Sequence, residues 1–349
     1  MTGQATFAIP GALDSLTGGY IYEKQVLLGL RRLGWDIRYL ALPDGFPEPT
    51  PEVVAQTAAA LATLPSDQPV LLDGFLTGVM PPETLADLRA RFVAICHHPL
   101  AYETGLSATR AAYLKRVEQA NLARAAHIIV PSPHTARMLT DDFSVATDRI
   151  TVAAPGVPRP QVKSVARDGV AEILVVGQLV PRKGHETLVQ ALAMICDLEW
   201  NAAIVGPASD PDHADNLHNL IVRLGLTDRV HIAGTLTPEQ LEKRYARATV
   251  FALATQYEGY GMVFAEAMAH GLPIVSCAAG AVPDTVPADA GVLVAPEDAP
   301  AFAKALRRVL ADHAFRAGLA QFSARHGSLM PTWDDTAQII NDVLTRVGR

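Results

Sequence analysis

Cysteine is scarce: Cys96, Cys196 and Cys277 stand far apart in a chain of 349 residues. Three scattered thiols make neither a paired framework nor a zinc-ligand spacing, which suits a reducing compartment. No apolar run approaches the ~20 residues a membrane span needs. The opening "MTGQATFAIPGAL" has no basic segment followed by a long apolar stretch, so no signal peptide is expected. Net charge is −7 and neither half carries a basic excess, which argues against nucleic acid as a general partner. The phosphate loop Gly-x4-Gly-Lys-Ser/Thr is absent too. What remains is 49% hydrophobic and 19% charged, an ordinary globular composition, in a chain long enough for two domains. A cytoplasmic protein is expected, with association to a membrane surface left open.

The rhythm of the chain is strand, helix, strand, the signature of βα units and parallel sheets. In the first half, strands are expected at 5–9, 36–42, 69–73, 92–96 and 127–131, with "RITVAAPGV" (149–157) a last strand leaving that half. Helices are expected at 20–33, 52–64, 83–89 and 107–125. The polar stretch "PRPQVKSVARDG" (158–169) reads as a linker. The rhythm then restarts with "EILVVG" (172–177), "NAAIVG" (201–206), "RVHIAG" (229–234), "TVFAL" (249–253), "PIVSC" (273–277) and "AGVLV" (290–294). Helices at about 298–311 and 332–347 close the chain. The fold class expected is α/β: two doubly wound, Rossmann-like domains, 1–157 and 170–330, facing a central cleft. The segment 331–349 is expected as a helix crossing back to the first domain. In such sheets, ligands bind outside the carboxyl ends of the strands.

Two stretches at those ends carry chemistry. In "VVGQLVPRKGHETL" (175–188) a strand ends at Gly177, and Arg182 and Lys183 precede a helix opening near Gly184. Adjacent cations beside a helix N-terminus make a site for phosphate, although most Arg-Lys pairs are solvated turns. In "QYEGYGMVFAEAMAHGLP" (256–273), Glu258 precedes a glycine-flanked tyrosine, Gly259-Tyr260-Gly261, and Glu266 lies in the helix beyond. Backbone N–H groups of a tight glycine turn, with one carboxylate, suit the hydroxyls and phosphate oxygens of a sugar nucleotide. Glu266, read as about two turns into its helix, is placed to take a ribose diol. The bland alternative is a helix-start glutamate and a surface glutamate.

These residues closely resemble the donor domain of the family-4 type of GT-B glycosyltransferases, retaining enzymes that use nucleotide-diphosphate sugars. Their E-x7-E motif appears as Glu258 to Glu266, their phosphate-binding pair as Arg182 and Lys183, and their "G-x-P-I/V-V" strand start as "GLPIV" (271–275). The resemblance is strong over about 170–310 and weak in the first half. It implies that Glu258 faces the donor sugar, Glu266 holds the ribose, and Arg182 with Lys183 binds the diphosphate. Gly177, Gly206, Gly259, Tyr260, Gly261, Met262 and Val263 complete the implied donor site. Tyr260 stands where phenylalanine is commoner in the family. In the first half, "SLTGGY" (15–20) puts Gly18 and Gly19 where such enzymes touch the diphosphate from the acceptor side. "CHHPL" (96–100) puts His97 and His98 after a strand, where a family histidine lies near the reacting sugar; His97 aligns better, and which of the two functions stays open.

The implied reaction moves a hexosyl group from a UDP- or GDP-sugar to a carbohydrate, lipid or small-molecule acceptor, with retention, without a metal and without a cofactor. Glu258, His97, Arg182 and Lys183 are its expected catalytic residues. A nucleotide-sugar epimerase, a sugar phosphorylase and a silent sugar-nucleotide sensor are the competing readings. A phosphorylase needs a pyridoxal-bearing lysine, for which Lys243 and Lys304 offer no context. Asp210-x-Asp212 in "SDPDHAD" (209–215) resembles a metal-binding pair but reads better as a soluble loop. The basic helix "RAAYLKRVEQANLAR" (110–124) reads as a solvated face or as a contact with anionic lipid. The segments 10–19 and 74–82 read as loops that select the acceptor.

Overall fold

The structure is a computed structural model that describes residues 3–15, 17–162 and 169–348. The chain divides into two compact units: Met1–Gly156 with Pro331–Arg349, and Val157–Met330. Half of the linker read at 158–169, residues 163–168, lies outside the described residues, as does Leu16 in the 15–20 loop.

In the first unit, β1 (Gln4–Pro10), α1 (Gly18–Arg32), β2 (Asp36–Leu42), α2 (Pro51–Ala62) and β3 (Val70–Asp73) are followed by α3 (Gly74–Val79) and α4 (Pro82–Ala86). Then come β4 (Phe92–Ile95), α5 (Ala108–Arg124), β5 (His127–Val130), α6 (Pro133–Phe143) and β6 (Ile150–Val152). The sheet is parallel throughout in the order β2-β1-β3-β4-β5-β6. Helices cover both faces, so β3, β4 and β5 are buried along their whole length and read as continuous apolar runs. The helix Trp333–Val347 packs against α1 at Gly29, where an added Cβ would stand 2.4 Å from the Cβ of Ala337. Trp35 Nε1 donates to Asn341 Oδ1 at 2.9 Å beside this contact.

The second unit runs β7 (Ala171–Val176), α7 (His185–Ala193), β8 (Trp200–Val205), α8 (Pro211–Arg223), β9 (Val230–Gly234), α9 (Pro238–Arg247) and β10 (Val250–Leu253). It continues through α10 (Met262–Ala269), β11 (Ile274–Cys277), α11 (Val282–Thr285), β12 (Gly291–Val294), α12 (Ala299–Ala311) and α13 (His313–Leu329). Its parallel sheet has the order β12-β11-β10-β7-β8-β9. The chain therefore leaves β7 toward β8 on one side and returns to β10 on the other. A crevice opens where that direction reverses, outside the carboxyl ends of β7 and β10. In the first unit the same reversal falls between β1 and β3.

Several sequence expectations need correction. The stretch 74–82, read as a loop, opens with α3, because the Asp73 side chain accepts from Phe75 N at 2.7 Å and caps it. Asp210 and Asp212 are not in a soluble loop. Asp210 caps α8 by accepting from His213 N at 3.0 Å, Pro211 is the first helical residue, and Asp212 lies in the first turn. The last strand of the first half is only Ile150–Val152, and the helix expected at 83–89 is only Pro82–Ala86. Glu266 is little more than one turn into α10, since that helix starts at Met262.

Candidate active site

At the switch point of the second unit, the loops after β7 and β10 meet. Lys183 Nζ donates to Glu258 Oε1 at 2.6 Å. Arg182 Nη1 donates to the Tyr257 carbonyl at 2.8 Å and lies 3.9 Å from Glu258 Oε2. Thr255 Oγ1 stands 3.0 Å from Glu258 Oε1 and within reach of the Arg182 and Tyr257 carbonyls. Glu258 is buried at 6% exposure. Burial alone would raise its pKa, but the charges of Lys183 and Arg182, with hydrogen bonds from Lys183 and Thr255, outweigh it. They hold the carboxyl below its usual range. The fold thus keeps an ionised carboxylate and two cations together at the mouth of a parallel sheet.

Two glycines make this approach feasible. Gly184 has φ +64 between the 3-10 turn Pro181–Lys183 and α7, and an added Cβ would lie 2.0 Å from the Ala254 carbonyl. A larger residue would push the Arg182-Lys183 loop off β10. Gly261 has φ +87 as the N-cap of α10, so Met262 and Val263 begin the helix with N–H groups that have no intrahelical acceptor. Tyr260 points its hydroxyl to Met330 Sδ at 3.7 Å, and its carbonyl accepts from Thr285 Oγ1 at 2.7 Å. Gly177 and Gly206 end β7 and β8 side by side: their N–H groups donate to Val205 O and Gly234 O, both at 2.9 Å.

Glu266 has a different partner. Its Oε2 accepts from the Tyr245 hydroxyl at 2.8 Å, and burial, only partly opposed by that bond, pushes its pKa up to about 7. A cavity of about 490 Å³ adjoins Pro181 and Gly184 and is lined by Glu186, Asp210, Asp212 and Glu297. Four carboxylates make it a poor place for phosphate, which leaves the phosphate reading with Arg182, Lys183 and the start of α10.

In the first unit, Gly18 and Gly19 form the first turn of α1, and a Cβ on Gly19 would stand 3.4 Å from the His97 ring. His97 and His98 follow β4 but face different partners. His98 Nε2 lies 3.0 Å from Glu103 Oε2. His97 Nε2 lies 3.7 Å from Glu23 Oε1, and the His97 ring meets Tyr22 edge-on with centroids 5.3 Å apart. Glu23, Asp73 and His97 each offer a donor atom within 4.8 Å of the others. Glu23, Asp73, Thr255 and Tyr245 are site neighbours that no motif in the sequence marks. A signal existed for Asp73, a lone acid ending an apolar strand just before a glycine. On α5, Glu118 and Asn121 are buried, while Arg110 and Arg116 lie over the Tyr113 ring.

Comparison with solved structures gives the class first. The sucrose-phosphate synthase of Thermosynechococcus elongatus superposes with a TM-score of 0.84 at 22% identity, covering 98% of both chains. Anabaena HepE, solved in complex with UDP-glucose, superposes at 0.78 with 18% identity over 98% of this chain and 99% of that one. These likenesses define the fold, two Rossmann-like α/β domains of the GT-B type. Residues 159–326 match the family model "Glycosyl transferases group 1", and residues 74–159 match "Glycosyltransferase Family 4". The two segments together span most of the chain, which belongs to the group 1, family-4 type of glycosyltransferases. Curated relatives include proteins named D-inositol 3-phosphate glycosyltransferase. The one from Nocardioides is 32% identical over 237 residues, covering 60% of this chain and 51% of the relative. The one from Xylanimonas cellulosilytica is 33% identical over 250 residues, covering 66% and 60%. The chain thus spans little more than half the length of the curated relatives it matches.

Proposed function

We propose that this protein transfers a hexosyl group from a UDP- or GDP-sugar to an acceptor hydroxyl, with retention of anomeric configuration. The observation that carries the reading is the contact of Lys183 and Arg182 with buried, ionised Glu258 at the β7/β10 switch point, beside the N-terminus of α10. Breaking the anomeric bond leaves negative charge on the departing diphosphate and positive charge on the sugar ring. Lys183, Arg182 and the free N–H groups of Met262 and Val263 answer the first. The Glu258 carboxylate answers the second. Such preorganised charge is worth most where water is excluded. These side chains supply the charge that a metal supplies in other transferases, so the reaction needs no metal. The family membership and the HepE complex with UDP-glucose support a sugar-nucleotide donor.

Glu266 holds the ribose in this reading, and the first unit holds the acceptor, a carbohydrate, lipid or small molecule, near Gly18, Gly19 and His97. The basic face of α5 remains the place for any membrane contact. A phosphorylase is disfavoured: Lys243 is exposed in an ion pair with Glu239 at 2.6 Å, and Lys304 is exposed on α12. The intact charge cluster disfavours a silent sensor.

The nucleotide site is tested by calorimetry with UDP, GDP and ADP at pH 6 and pH 8. One of these should bind clearly more tightly than the others. Ribose hydroxyls donate best to an ionised carboxylate, and Glu266 has its pKa raised to about 7. Its charged form, and with it nucleotide affinity, should therefore increase as pH rises through that value. The gain is at most roughly tenfold, and Glu266→Gln should abolish the part due to this group. Failure of all three nucleotides to bind would remove the donor reading.

A further inference from the structure

The switch point of the first unit carries a cluster that the donor chemistry leaves unused. Glu23 on α1, Asp73 at the end of β3 and His97 after β4 come together there, between β1 and β3 in the sheet order. Glu23 has 0% exposure and Asp73 4%. Neither Glu23 oxygen receives a hydrogen bond from an amide, hydroxyl or cationic donor, and His97 Nε2 has no hydrogen-bond partner, although all three atoms are buried. Glu23 meets the Asp73 carboxyl in a contact that needs a shared proton. Buried polar atoms are rarely left so without a reason. Asp73 spends one oxygen on Phe75 N. Among the described residues, His97 is the one positively chargeable side chain paired with either carboxyl. The other groups coupled to the pair are the phenols of Tyr20, Tyr22 and Tyr39 and the thiol of Cys96, none of which brings positive charge.

We propose that Glu23 and Asp73 are positioning residues for His97: the buried carboxyl pair takes its Nε2–H, fixing the tautomer and leaving Nδ1 as a hydrogen-bond acceptor for a hydroxyl held in the first unit. The role of that hydroxyl rests on the transferase reading above; the tautomer does not. At 3.7 Å the contact is electrostatic and not a full hydrogen bond, and a carboxylate at that distance in a buried site still favours the tautomer that turns its N–H toward it. Two carboxyls this close in a buried site cannot both carry charge at little cost, so they hold a proton between them. Burial accordingly pushes Glu23 up to about 7, and burial with the neighbouring Glu23 pushes Asp73 well above the carboxylate range. One negative charge then faces the imidazole. A carboxylate behind one ring nitrogen is a common way of deciding what the other nitrogen can do. The His97 side chain is 24% exposed while its Nε2 is buried, so the exposure falls on the rest of the ring. Tyr22 holds that ring from its edge.

The test is the tautomer of His97, read from two-bond nitrogen–proton correlations in protein labelled with ¹⁵N-histidine, the signal being assigned by its loss in His97→Gln. The wild type should carry its proton on Nε2. Glu23→Leu removes both oxygens at similar volume and should shift the ratio of the two tautomers about tenfold toward the Nδ1–H form. Glu23→Gln keeps one oxygen and should stay near wild type. A leucine variant that folds yet leaves the ratio unchanged overturns the proposal. If that variant does not fold, a proton on Nδ1 in the wild type overturns it by itself. Manganese chloride is added in a second arm, with its paramagnetic resonance as the readout. One bound equivalent that is lost in Glu23→Gln would make the cluster a cation site and end the positioning role. None of these readouts needs transferase activity, so failure of the enzyme assay and failure of this proposal are separate results.

Discussion

Lys183→Ala should damage activity and stability together, and the stability loss should fade in acid. The lysine ammonium sits 2.6 Å from Glu258 in a pair whose side chains are 12% and 8% exposed. Removing one partner of a buried pair strands the other charge, a loss of about 3 kcal/mol even at the low end of what such deletions cost. Arg182 at 3.9 Å keeps the loss at that low end. In the wild type, the Glu258 pKa is below its unfolded value. Its contribution is therefore present above the unfolded carboxylate pKa and is lost as pH falls through the folded one. In the variant, burial is opposed only by Arg182 and Thr255, and the folded pKa moves above the unfolded one. The penalty then grows as pH rises and disappears once the carboxyl is protonated. Thermal denaturation from pH 4 to pH 8 should show the melting-temperature gap between wild type and variant closing toward pH 4. Lys183→Ala with Glu258→Gln should recover part of the loss at neutral pH, since no buried charge is stranded. A gap that stays constant with pH would show that Lys183 does not act through Glu258. Turnover should fall by ~10³-fold in Lys183→Ala, on the scale of losing one preorganised charge.

Glu258→Gln and Glu266→Gln should separate cleanly. Glu258 lies at the glycine turn among the cations, where interactions strengthen as charge develops, so its loss should lower kcat by ~10²–10³-fold. On the proposed reading, Glu266, which lies in α10 and accepts from Tyr245 of α9, holds a part of the substrate that does not change during reaction. Its loss should raise KM for the donor and weaken nucleotide binding, leaving kcat within a few-fold. Full kinetics for both variants, with nucleotide affinity measured beside them, settle the roles. A normal kcat in Glu258→Gln, with turnover abolished in Glu266→Gln at normal nucleotide affinity, would reverse them.

The strands were legible because strands buried on both faces must be apolar along their length. "EILVVG" and "TVFAL" announce β7 and β10 without any knowledge of their neighbours. Their adjacency was not legible, since pairing is decided by tertiary packing, and with it the contact between Lys183 and Glu258, 75 residues apart. The Arg-Lys pair and the E-x7-E spacing could be read as a candidate site; the ion pair between Lys183 and Glu258 could not. Glu23 went unnoticed because it sits in "YEKQV" beside Lys24 and looks like any solvated helix glutamate. It lies three and four residues before Val26 and Leu27, both buried, so the apolar stripe of α1 runs through it. The helical period therefore held the clue to its burial, and only the ends of β3 and β4 show what it meets. Asp210 misled in the opposite sense: read as a loop residue, it caps α8, since loops and helix caps draw on the same residue type.

Transfer itself is the most direct test of the central claim. The protein is incubated in chelator with UDP-, GDP- and ADP-glucose in turn, a panel of candidate acceptors including inositol 3-phosphate, and water alone. The anomeric proton is followed by NMR. A retaining, metal-independent transferase consumes one of these α-linked donors, releases the nucleotide diphosphate, and gives a product whose anomeric coupling is still that of the α-linkage. A β-linked product, turnover that vanishes in chelator and returns with manganese, or no consumption of a nucleotide sugar whose diphosphate binds tightly, would contradict it.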